Sequence, residues 1–231
     1  MMVLLAVAAL AWAPQEGPDG PVRWHNTQIQ WHFAESTAPD SDMASQVRDG
    51  FTDWVELGQG TVLFEEVGTI PAAEVSFNGR SEVGFAATWE YPPRTLAVTQ
   101  VWIEGARIVE FDLLMQEDPP NGWGDGVLQS HLPSVILHEV GHALGLGHSE
   151  VEGAVMFGVI KPGERRGLHD DDREGLLTIY AETADSGSAS VASSGCSHGG
   201  GPWGGWLFVA LLSVARMSGS AESRGGPLST S

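Results

Sequence analysis

The chain has 231 residues, enough for one catalytic-sized domain with appendages. Lys and Arg number 11 against 30 Asp and Glu, and the resulting net charge of −19 opposes a phosphate backbone, so nucleic acid is excluded as an expected partner. A hydrophobic content of 42% with 9 Trp supports a packed core, while a lone cysteine, Cys196, excludes an internal disulfide framework and a thiolate metal cluster.

Residues 1–13 form an apolar run ending in the small-x-small triplet Ala11-Trp12-Ala13. This reads as a signal peptide cut after Ala13, with a buried N-terminal segment as the alternative. One domain is expected over residues 21–182. Ile29 to Phe33 alternates apolar and polar residues at strand period. Pro39-Asp-Ser-Asp42 then caps a helix in which Val47, Phe51, Trp54 and Val55 share a face. Thr61 to Phe64 and Val75 to Phe77 read as strands. Leu96 to Trp102 and Ala106 to Met115 read as two more, joined by a tight turn at Gly105. Glu117 to Gly126 is a loop, and Leu128 to Leu146 a helix with Pro133 in its first turns. Asp170 to Tyr180 is a last helix whose three leading acids suit the helix dipole. Strands followed by two helices indicate an α+β architecture.

The chemistry is concentrated in His138-Glu139-Val140-Gly141-His142-Ala143-Leu144-Gly145-Leu146-Gly147-His148. On a helix His138 and His142 lie one turn apart and project from the same side. Gly145 suits a left-handed helix end, which lets the chain double back and bring in His148. Three imidazoles leave one tetrahedral position open, the arrangement of a catalytic Zn2+ site. Zinc lowers the pKa of its bound water towards about 7. Glu139, rotated about 100° from His138 along the helix, can take that water's proton and deliver it to the leaving amine. This chain's own residue frequencies yield roughly one accidental match per ten thousand such chains. The bland alternative is a helix whose histidines are merely solvated.

The run resembles the HExxHxxGxxH signature of the metzincin metallopeptidases. Ser149 after the third histidine is similar to the matrixin, or matrix-metalloproteinase-like, branch. Ala154 to Phe157 resembles the Met-turn, which implies that Met156 lies beneath the metal without ligating it. Leu168 to Tyr180 resembles the matrixin closing helix, with Asp171 and Asp172 as the acidic pair that ties it to the Met-turn. The resemblance implies a zincin domain, with a twisted, mostly parallel sheet, an active-site helix and a C-terminal helix. It further implies a zinc endopeptidase acting on proteins or peptides, with His138, His142 and His148 as ligands and Glu139 as general base and acid. A non-catalytic surface or adhesion module stabilised by zinc is the alternative function. Substrate would add as a strand to the sheet edge beside the zinc, assigned to the strand near Ala106–Leu114.

Departures from the family are specific. Gly158 stands where matrixins often carry proline, no cysteine-switch propeptide is evident, and no histidine-rich loop for a second zinc is evident. His25, His32, His131 and His169 are scattered and are read as non-ligating. Glu117-Asp118 is one acidic pair, a weak indication of Ca2+.

Residues 183–201 read as a Ser/Gly-rich linker, 202–217 as a short apolar helix, and 218–231 as a polar tail. A cysteine (Cys196), a short apolar helix and then Arg216 resemble the C-terminal sorting tags of bacterial surface proteins of the MYXO-CTERM type. That resemblance implies secretion with retention at the cell surface through a membrane tether; an ordinary tail helix is the alternative. A monomer is expected.

Overall fold

The computed structural model describes residues 12–185 and the backbone of residues 211–217. In chain order the elements are β1 (Trp12–Pro14), β2 (Glu16–Gly17), β3 (Gly20–Pro21), β4 (Gln28–Phe33), α1 (Ser41–Leu57), β5 (Leu63–Thr69), β6 (Glu82–Ala86), β7 (Thr95–Glu104) and β8 (Arg107–Gln116). They continue with α2 (Leu132–Ala143), β9 (Leu146–Ser149), β10 (Val159–Ile160), α3 (Asp170–Asp185) and β11 (Leu211–Met217).

The principal sheet runs in the order β10-β11-β7-β8-β6-β4-β5. The β4–β5, β4–β6, β6–β8 and β10–β11 pairs are parallel, whereas β7 is antiparallel to both β8 and β11. This is the α+β architecture with a mostly parallel sheet that the sequence predicts. Along β4 the residues alternate, with Ile29, Trp31 and Phe33 buried. Trp31 stacks on Phe51 of α1 at 4.3 Å between ring centroids. Asp40 caps α1 by accepting the Met43 N–H at 2.8 Å. Helices α1 and α2 cross closely, because a Cβ at Gly50 would lie 2.3 Å from Ile136 Cγ2. The Trp54 indole N–H donates to the Leu137 carbonyl at 2.8 Å across that contact.

Several expectations need correction. Val75 to Phe77 is not a strand. The backbone N–H groups of Glu74, Ser76, Asn78 and Gly79 donate to the carboxylates of Glu82, Asp112 and Glu110 instead of to a neighbouring chain. The strand of that region is β6, which follows it. Helix α2 is shorter than Leu128 to Leu146: His131 is its N-cap, and the chain turns into β9 after Gly145. The strand near Ala106–Leu114 is β8, which pairs with β7 and β6 and offers no edge; β7, beside α2, pairs with β8 on one side and takes β11 on the other. Which strands flank the hairpin arms depends on long-range pairing that local periodicity does not encode.

The two chain ends are described only in part. Residues 1–11 of the leader lie outside the described residues, but Trp12 is buried and β1 pairs with β9, Trp12 opposite Ser149. Its indole lies against Gly175, where a Cβ would come within 3.0 Å. A cut after Ala13 would remove Trp12 from this pairing. Of the expected apolar helix 202–217, residues 211–217 form a strand, because the open N–H and C=O row of β7 offers this apolar segment a ladder. Residues 202–210, the linker from 186 and the tail from 218 lie outside the described residues. Among the described residues no helix is long and apolar enough to cross a membrane.

Candidate metal centre

Helix α2 places His138 and His142 on one face, where both are buried. The helix ends at Gly145, whose φ of +93° is open to glycine and where a Cβ would lie 2.4 Å from the Val22 carbonyl oxygen. Its last carbonyls are capped from outside: the Trp24 indole N–H donates to Ala143 O at 2.8 Å and the Tyr180 hydroxyl to Leu144 O at 3.0 Å. The chain then reverses into β9, which carries His148 at the exposed lip of the site.

The three histidines converge. One ligand atom from each of His138, His142 and His148 lies within 4.8 Å of the other two. His138 Nδ1 faces the Val155 carbonyl and His142 Nδ1 the Leu146 carbonyl, each at 2.7 Å. A carbonyl only accepts, so both Nδ1 atoms carry the proton and both Nε2 atoms present lone pairs. Those Nε2 atoms stand 3.0 Å apart. Two facing lone pairs repel, and a cation between them removes the conflict; tetrahedral zinc at 2.0–2.1 Å sets nitrogen separations of about 3.3 Å. Burial pushes His138 down to about 3 and His142 well below the ordinary histidine value, and it lowers His148 as well. All three are therefore neutral near pH 7, the form that ligates metal. The donor set fits a zinc ion.

Support extends outward from these ligands. Asp172, fully buried, accepts the N–H groups of Val155 and Met156, both at 3.0 Å, and of His169 at 2.8 Å. It thereby fixes the carbonyl that orients His138. Ser149 donates its hydroxyl to Asp171 at 2.6 Å and its N–H to the Met156 carbonyl at 2.9 Å. Met156 lies beneath α2, its sulfur against Gly141, where an added Cβ would come within 2.3 Å. Gly158 packs on His148, with the nearest ring atoms 3.0–3.2 Å from a hypothetical Cβ. A Cβ there would require the His148 ring to give by a few tenths of an ångström.

This combination of sites coincides with a match to the matrixin family model over residues 23–181. The chain belongs to the matrixin family. Among its relatives, matrix metalloproteinase-19 of Homo sapiens is 34% identical over 167 residues, covering 69% of this chain and 30% of the relative. Matrix metalloproteinase-2 of Drosophila melanogaster is 31% identical over 166 residues, 70% of this chain and 21% of the relative. Metalloendoproteinase 5-MMP of Arabidopsis thaliana is 42% identical over 90 residues, 36% of this chain and 25% of the relative. The chain thus spans less than a third of the length of these relatives.

Two residues of this matrixin site escape sequence reasoning. Thr99 of β7 is buried, and its hydroxyl lies 2.7 Å from Glu139 Oε2 and 3.1 Å from the Glu139 carbonyl. Arg166 closes a cavity beside His138, also lined by Val135, Val155, Phe157 and Val159, that holds about 10 Å³, room for one water. Its guanidinium donates to Phe157 O at 3.0 Å and Glu164 at 2.8 Å, and sits 5.2 Å from the Phe157 ring centre. Neither belongs to a motif, and alternation along β7 would at most have marked Thr99 as inward-facing. Of the histidines read as non-ligating, His131 caps α2, accepting the Ser134 N–H at 3.3 Å. None of His25, His32, His131 and His169 joins the convergent three.

Proposed function

We propose that the chain is a zinc-dependent endopeptidase that hydrolyses peptide bonds in proteins, with His138, His142 and His148 as ligands and Glu139 as general base and acid. The observation that carries this reading is the pair of unprotonated Nε2 atoms at 3.0 Å with His148 closing the third side at the solvent lip. A zinc ion held there supplies Lewis acidity and a water acidic enough to attack at neutral pH. Glu139 takes one proton from the attacking water as the carbon–oxygen bond forms, then gives it to the amine as the carbon–nitrogen bond breaks. Thr99 holds the Glu139 carboxylate in place through the intervening steps. His138 and His142 keep their Nδ1 protons on backbone carbonyls throughout, so their rings do not rotate.

Casein hydrolysis that a chelator abolishes and zinc restores is the expected behaviour of the full chain. Glu139→Ala should retain one zinc and lose activity by well over the 10²–10⁴ typical of a single acid–base group, since it serves two steps. Stoichiometric zinc without hydrolysis of a broad peptide library would support the adhesion-module reading instead.

Export and retention at a cell surface belong to the same proposal. The apolar leader, Cys196 and the apolar run before Arg216 support it. Residues 1–11 are the part whose removal leaves the β1–β9 pair intact. Fractionation of expressing cells, with residues 202–217 deleted in parallel, tests it: retention should depend on that run.

A further inference from the structure

The sheet edge nearest the three-histidine site is already taken by this chain's own C-terminal segment. Strand β11 runs antiparallel to β7 from Leu211 opposite Val101 to Ala215 opposite Ala97, with Ser213 opposite Thr99. Thr99 is the residue that holds Glu139. On its other side β11 runs parallel to β10, Arg216 opposite Val159 and Met217 opposite Ile160. Val159 and Ile160 wall the cavity beside His138. The backbone of 211–217 therefore lies between the strand behind the proposed base and the wall beside the first ligand, and it also contacts α2.

An extended peptide binds a sheet edge through its main chain, so a substrate strand needs the same N–H and C=O groups of β7 that β11 uses. We infer that residues 211–217 act as an internal competitor that occupies the substrate position of this peptidase, an inference that rests on the proposed activity at this site. The occupant is a segment of this chain, joined to α3 by residues 186–210. A Ser/Gly-rich tether of that length corresponds to an effective concentration on the order of 1 mM. Against an intrinsic affinity of about 0.1 mM for a seven-residue strand, the apparent KM for an external peptide rises about tenfold while kcat is unchanged. The same seven residues belong to the run proposed to hold the protein at the envelope. A tail held there is withdrawn from the cleft, so retention and peptide access rise together.

The test compares the full chain with a Leu212→Pro/Ser213→Pro variant; successive strand amides face opposite sides, so one of the two prolines removes a donor facing β7. Hydrolysis of a fluorogenic peptide and amide exchange along β7 by NMR are measured on both. Expected are a KM about tenfold lower in the variant with kcat within twofold, and faster exchange at the alternate β7 amides that face β11 but not at those facing β8. An unchanged KM overturns the inference, as does a variant whose gain lies in kcat alone. If neither protein cleaves the peptide, the peptidase reading fails and exchange decides the pairing by itself: equal β7 protection in both proteins overturns it, and selective loss in the variant upholds it.

Discussion

The Thr99 hydroxyl stands 2.7 Å from the Glu139 carboxylate and ties strand β7 to helix α2. The bond is buried and one partner is a carboxylate, so its loss costs more than a surface hydrogen bond. Thr99→Val keeps the shape and removes the donor. At about 1.5–3 kcal/mol for a bond to a charged group, kcat/KM should fall by roughly 10- to 160-fold with zinc content unchanged. Steady-state kinetics beside metal analysis checks this; loss of zinc would show that Thr99 supports the ligands instead.

Asp172 should matter for both stability and metal. It is the acceptor for three backbone N–H groups, and Asp172→Ala leaves those of Val155 and Met156 buried without that acceptor. At 1–3 kcal/mol for each stranded group, a loss of about 2 kcal/mol or more is expected in urea unfolding. Zinc affinity should fall 10–100-fold, the usual result of releasing a ligand's supporting shell.

Gly141 sets two effects against each other. Alanine in a helix interior gains about 1 kcal/mol over glycine. Here its Cβ would lie 2.3 Å from Met156 Sδ and 2.9 Å from Trp54 Cζ2, and the indole is held in place by its bond to Leu137. Overpacking of this kind costs about 1–3 kcal/mol, so Gly141→Ala should lower the thermal midpoint by several degrees. A raised midpoint would show that Met156 repacks freely.

Stability should also depend on pH through Asp112, whose carboxyl burial pushes up to about 8. A carboxyl raised on folding binds more protons in the folded than in the unfolded chain. Its contribution is full below the unfolded value near 3.8, declines as pH rises, and is gone above about 8. Calorimetry from pH 5 to 9 should show a falling midpoint, and Asp112→Asn should flatten the fall.

The metal site was more legible in sequence than the sheet that carries it. His138, Glu139 and His142 follow from helical spacing alone, and Gly145 announces the reversal that delivers His148. Asp172 was visible only through family resemblance, because nothing local connects it to Val155, 17 residues away. The sheet was harder. β6 has the near-continuously buried pattern of an interior parallel strand, and Val75–Phe77 mimics alternation yet the N–H of Ser76, like that of Asn78 just after it, goes to a carboxylate distant in sequence. The apolar run at 211–217 fits helix and strand alike, and only the open rim of β7 decides between them.

The convergence of three imidazoles on one ion is tested most directly by zinc-edge X-ray absorption on the full chain and on His148→Ala. Three imidazole nitrogens at about 2.0–2.1 Å plus one oxygen are expected in the wild type, and two nitrogens in the variant. A wild-type spectrum with only two imidazoles, or one that His148→Ala leaves unchanged, would contradict the site.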